Sequence, residues 1–262
     1  LPLDTIEALA WGSNLDWGFN KHPPLSAFFT EIFFIIFGSK DWAYYFLSQL
    51  FVVISFYFVF KLSNEFLKNL KLSFISILLL EGIYFYNFTT PEFNVNVAQL
   101  PFWSLTVYFA WRIFCKKEPH VFDLILLGVF SAAGFLSKYL FLYLLLAIDL
   151  LFFYLIFLIK DRKFQFTYLI SIEVFLLLLI PHIVWLSNNE YITIAYGMAR
   201  SGAQDFQFIN HLINPILFIF KQVIILIPFF ILCLTLIKKI KLKINLKDKK
   251  LLFLIFINIA PI

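Results

Sequence analysis

Long apolar runs follow one another along almost the whole chain, at 42 to 60, 72 to 90, 97 to 114, 122 to 136, 139 to 159, 166 to 186 and 214 to 237, with an unfinished one from 251. Each approaches the roughly 20 residues a helix needs to cross a hydrocarbon core ~30 Å thick. Hydrocarbon offers no water to a backbone N–H or C=O, so a segment there must be a helix or part of a closed barrel. Barrel strands alternate apolar and polar residues, and these runs do not. With 62% hydrophobic and only 14% charged residues, an ordinary soluble domain is excluded. The expected fold is an all-α polytopic membrane protein with residues 1–262 in one transmembrane domain. Residues 1–41 form an outer loop with an interfacial helix, and 42–262 hold about seven spanning helices plus an incomplete eighth. The chain ends inside the apolar run LLFLIFINIAPI and opens without a signal peptide, so a longer parent chain is expected.

Lysine and arginine orient these runs. Lys61, Lys68 and Lys71 fall in one connection, Arg112, Lys116 and Lys117 in a second, Lys160, Arg162 and Lys163 in a third, and KKIKLKINLKDKK supplies seven more. Sixteen of the 21 basic residues thus share one side, which the positive-inside rule makes cytoplasmic. Their spread between apolar runs points to anionic membrane lipid and excludes nucleic acid as a partner. Cys115 and Cys233 fall near cytoplasmic helix ends, where no disulfide is expected. The stretch PPLSAFFTEIFFIIFG has about 14 helical residues, or ~21 Å at 1.5 Å per residue. That is too short to span, so it is expected to lie in the outer interface, started by Pro23 and Pro24.

The polar inventory of the outer side is compact: Asp4, Glu7, Asp16, Lys21 and His22 from the opening stretch, Glu92, Asn94 and Asn96 from TPEFNVN, then Lys138 and Tyr139, and finally Tyr196, Arg200 and Asp205. Lys138 sits between two spans with almost no loop, where a cation without a partner calls for an anion or water. Carboxylates and cations facing the outer half of a bilayer suit group transfer from a lipid-linked phosphate. The cations stabilise the leaving phosphate, and a carboxylate takes the proton of an incoming hydroxyl. Asp4 followed three residues later by Glu7 also resembles a helix capping box, the structural alternative to catalysis. His22, His182 and His211 share no metal-ligand spacing, so no cofactor is assigned and a divalent metal is the lesser reading. Glu81, Asp149 and Glu173 fall within spanning runs and keep open a transporter or flippase for a lipid-linked substrate.

The stretches LDTIEALAWG and WGFNKHPPLSAFF, then FGSKDWAYYFLSQL, GFLSKY and IPHIVWLSNNEYITIAYGMARSG, resemble in order the bacterial family related to dolichyl-phosphate-mannose protein mannosyltransferases and aminoarabinose lipid A transferases. The resemblance implies a GT-C membrane fold, a polyprenyl-phosphate-linked sugar donor and a lipid (lipid A-like) or protein acceptor. It places the site on the extracytoplasmic face of a bacterial inner membrane. It also implies that Asp4 is the catalytic base, that Lys21 is a donor-phosphate ligand and that Lys138 matches a later lysine motif. From the outer inventory itself, Glu7 is either a cap partner or a second site acid, Lys138 and Arg200 are read as further donor-phosphate ligands, and His22, Glu92, Asn94, Tyr139 and Tyr196 as substrate contacts. Two departures stand out. The family's acids are usually adjacent, whereas Thr5 follows Asp4 here, and His22 separates Lys21 from the double proline. A non-catalytic relative that only binds polyprenyl lipid is the remaining alternative.

Overall fold

The computed structural model describes residues 1–161, 163–200, 208–236 and 248–259. Among these, every regular element is a helix. Arg162, Asp205, the lysines between 238 and 247 and the side chain of His211 lie outside the described residues. In chain order the α-helices are α1 (Leu3–Gly12), α2 (Leu25–Phe37), α3 (Asp41–Leu67), α4 (Leu70–Leu78), α5 (Val95–Cys115) and α6 (Val121–Ser137), then α7 (Leu142–Phe153), α8 (Leu169–Asn188), α9 (Ile192–Arg200), α10 (Phe208–Ile225), α11 (Ile227–Leu236) and α12 (Lys249–Ile259).

Among the described residues three continuous helical stretches are long and apolar enough to cross a membrane: Asp41–Leu67, Tyr139–Leu158 and Phe166–Asn188. A fourth, Ile213–Ile225 with Ile227–Leu234, is bent by 47°. The chain is an integral membrane protein. Helix α5 is also 21 residues long, yet it carries Asn96, Gln99 and Arg112. It tolerates them because it runs through the middle of the bundle, with Ala98, Thr106, Ala110, Ile113 and Phe114 all almost fully buried. A helix surrounded by protein need not be as apolar as one facing lipid. Around its second half Trp111, Phe114, Leu124, Leu144, Leu151 and Phe253 form the largest core cluster.

The short helix expected after the double proline is present. Helix α2 has 13 residues, starts behind Pro24 and ends at Gly38, whose φ of 69° suits a residue without a side chain.

The run 72 to 90, expected as one continuous span, is instead broken. Helix α4 gives way to a 3-10 turn at Leu79–Gly82, Ile83 is extended, and Phe85–Thr89 form a π turn. Packing and side chains compensate for the break. Gly82 lies so close to α11 that a Cβ there would stand 2.9 Å from Phe229 Cα. Asn87 donates to the Glu81 carbonyl, while the Thr90 carbonyl accepts from Ser48 and Gln49. Backbone groups that a regular helix would pair internally are thereby met from outside.

Helices α6 and α8 approach closely at Gly128. A Cβ there would fall 2.5 Å from the Ser171 carbonyl oxygen and 2.8 Å from Val174 Cβ. Gly128→Ala is therefore expected to destabilise the protein by about 1–3 kcal/mol, the usual range for an overpacked core. Thermal unfolding in detergent checks this. Gly197→Ala, where nothing lies within 4 Å of the added methyl, is expected to leave Tm unchanged or slightly raised.

Candidate active site

The two ends of the bundle differ in chemistry. At one end Asp123, 1% exposed, accepts from Arg112 at 3.0 Å and Lys116 at 3.3 Å, and Lys250 donates to the Phe66 carbonyl at 2.5 Å. That end also holds Lys249, next to Lys250 and paired with Asp161 at 2.9 Å. The opposite end gathers most of the site candidates.

Asp4 and Glu7 lie on α1 and not in a loop, as the sequence had suggested. Three residues apart, they share one helix face. Helix α1 begins behind Pro2 with no side-chain cap, so the capping-box alternative for Asp4 does not hold. Its backbone N–H instead donates to Glu92 Oε1 at 3.2 Å, and the next residue, Thr5, donates its hydroxyl to the Phe93 carbonyl at 3.0 Å. These bonds tie the start of α1 to the segment leading into α5. Asn94 caps α5, accepting from the N–H groups of Asn96 and Val97 at 2.9 and 3.2 Å. Against α2, Gly12 sits where a Cβ would be 2.8 Å from the Ala27 carbonyl oxygen. The result is a small cleft lined by Asp4, Glu7, Trp11, His22, Ser26 and Asn94, with Ala8 and Val95 completing its wall.

Lys21 bonds Glu7 at 2.5 Å, both side chains about one third exposed. That hydrogen bond and the Glu7 charge raise the Lys21 pKa, so the ammonium stays protonated. No ion pair or hydrogen bond engages the Asp4 carboxylate among the described residues, and it faces solvent. Trp11 stacks on Phe19 at 5.3 Å and meets the His22 ring edge-on at 5.9 Å. Burial pushes the His22 imidazole below its usual 6.5. Lys138 and Arg200 act in the same sense, while Glu7 and Asp4 oppose them.

Lys138, expected without a partner, has one: its ammonium donates to Asn96 Oδ1 at 2.5 Å. The partner is neutral, so burial still lowers the Lys138 pKa, with the nearby Arg200 charge adding to the effect. The Tyr139 hydroxyl is committed to His182 Nε2 at 2.7 Å. Arg200 donates to the Tyr196 hydroxyl at 3.0 Å, one turn back on α9. Asp16 is turned away, accepting from the N–H of Trp17 at 2.7 Å.

Sequence reasoning missed Trp11 and Ser26 as cleft residues and weighed His182 only as a metal ligand. Nothing local marks Ser26. An intramembrane histidine is an expensive choice that was itself a signal. Among the described residues no group of three or more His, Cys, Asp or Glu could hold a metal ion. Glu81 and Glu173 line neither this cleft nor the second pocket, where Asp149 faces Phe152, Phe153 and Tyr168.

A sequence profile of the dolichyl-phosphate-mannose-protein mannosyltransferase family matches residues 21–185, more than half the chain. The chain belongs to that family. The family is of the GT-C type, so the protein is a membrane glycosyltransferase. The matched stretch includes Lys21, His22, Glu92, Asn94, Lys138 and Tyr139, while Asp4, Glu7, Tyr196 and Arg200 lie outside it. No curated protein and no solved structure matches the chain.

His22 gives this family member a pH signature. Its folded pKa lies below 6.5, so its contribution to stability is present above that pH and is lost as pH falls through the folded value. As pH falls below 6.5, the Tm of the wild type is expected to fall more steeply than that of His22→Gln.

Proposed function

We propose that this protein moves a sugar from a polyprenyl phosphate to a hydroxyl of a lipid (lipid A-like) or protein acceptor, on the extracytoplasmic face of a bacterial inner membrane. The supporting observation is the convergence of Asp4 and Glu7 with Lys21, and of Lys138 and Arg200 within electrostatic range of His22, at the end of the bundle opposite the basic connections. By the positive-inside rule that end is extracytoplasmic.

Asp4, whose carboxylate is unengaged among the described residues, is the general base. It takes the acceptor O–H proton as the oxygen attacks the anomeric carbon. The bond from that carbon to the phosphate oxygen breaks, and its electron pair leaves with the phosphate. Lys21, Lys138 and Arg200 stabilise the charge developing there. One direct displacement inverts the anomeric carbon. Glu7 orients Lys21 through their ion pair. His22, Glu92, Asn94 and Tyr196 contact the substrate, and Tyr139 shapes the site beside Lys138.

The test is sugar release from a radiolabelled polyprenyl-phosphate sugar by membranes holding the full-length protein, wild type beside Asp4→Asn at matched expression. Removing a general base is expected to lower the rate by roughly 10²- to 10⁴-fold. An Asp4→Asn protein that folds and retains full transfer would defeat this mechanism.

A further inference from the structure

Three consecutive residues of the segment between α1 and α2 are gripped by one surface of α8 and α9. The Trp17 carbonyl meets His182 Nδ1 at 2.5 Å. Gly18 lies flat against the Trp185 ring, where a Cβ would stand 2.3 Å from a ring carbon. The Phe19 carbonyl accepts from the Thr193 hydroxyl at 2.5 Å. From Phe19 the chain turns, its N–H reaching the His22 carbonyl at 3.2 Å, and this turn delivers Lys21 to Glu7.

His182 is the centre of this grip, 1% exposed and stacked parallel to Trp185 at 6.3 Å. A carbonyl oxygen can only accept, so Nδ1 carries the proton. In a neutral ring Nε2 is then an acceptor, and it takes the Tyr139 O–H at 2.7 Å. Both nitrogens of a fully buried ring are thereby used, one toward the segment carrying Lys21 and the other toward the residue after Lys138.

We propose that His182 is a positioning residue that fixes Lys21 relative to Lys138, through Trp17 on one side and Tyr139 on the other. It touches no reacting atom. Its value lies in tying together the two segments that bear these cations, more than a hundred residues apart in sequence. This rests on the assignment of both lysines to the donor phosphate.

The test uses His182→Asn, His182→Gln and Thr193→Val in the full-length protein. An Asn amide nitrogen can occupy the place of Nδ1 and keep the bond to Trp17, whereas a Gln amide reaches the place of Nε2 and leaves the Trp17 carbonyl unpaired. Thr193→Val keeps the side-chain shape and removes the bond to Phe19, together with the contact between the Thr193 and Tyr139 hydroxyls. Hydrogen exchange of residues 13–24 in detergent or nanodiscs is expected to quicken roughly three- to tenfold in His182→Gln and Thr193→Val, as loss of one buried hydrogen bond allows. His182→Asn is expected to stay within about twofold of wild type. The KM for the polyprenyl-phosphate sugar should rise in the same variants by a similar factor, with kcat changed less.

Exchange unchanged in all three variants, or as fast in His182→Asn as in His182→Gln, would overturn the proposal. Exchange needs no turnover. The expected exchange order in a wild type that transfers no sugar would therefore defeat the transferase function while leaving the grip on Trp17 established.

Discussion

Every backbone polar group placed in hydrocarbon needs a partner within the protein, and the architecture follows from that requirement. Where the sequence supplies nothing special the answer is a continuous helix, as in Asp41–Leu67 and Phe166–Asn188. Where the helix breaks, side chains or close packing take over. The stretch from Leu79 to Thr90 shows this, with Asn87, Ser48 and Gln49 donating to carbonyls released from the regular ladder. The same rule governs the segment before α2. It is held in an irregular path because Thr193 donates to one of its exposed carbonyls and His182 to another.

Charge is sorted along the bundle. At one end a buried carboxylate, Asp123, is matched by two cations. At the other, three carboxylates and several cations are spread over α1, the loop after it, the segment before α5, the α6–α7 junction and α9, and they meet only through folding. The interactions that hold those segments are mostly between neutral groups: the Asn94 cap, the Thr5 bond to Phe93, and the His182 bonds. The scaffold that fixes the charges is thus largely independent of ionic strength, while the charges themselves remain available for exchange with a ligand.

Helices were legible wherever an apolar run was uninterrupted, because composition alone decides between lipid and water. Breaks were not. Nothing in ILLLEGIYFYNFTT announces that Gly82 will meet the backbone of Phe229, a contact from a segment nearly 150 residues later. Helix α1 falls in a stretch expected as an outer loop because its ten residues carry no strong apolar stripe, and its existence depends on docking against α2 and Phe93. At the site, charged residues could be picked out because charge is rare in this chain. Their neutral supports could not. Asn96 and Thr193 are ordinary residues until folding sets them against Lys138 and Phe19.

The bond between Glu7 and Lys21 means that the cleft carries its own counter-ion. An arriving anion does not find a bare ammonium to fall upon. It must share that ammonium with a carboxylate already seated at 2.5 Å, through the N–H donors that Glu7 leaves free. The Glu7 charge offsets part of the attraction, and weak monoanions gain little by entering. A group with several oxygens and more than one negative charge makes up the difference by reaching further cations, so the resident acid acts as a gatekeeper against small ions.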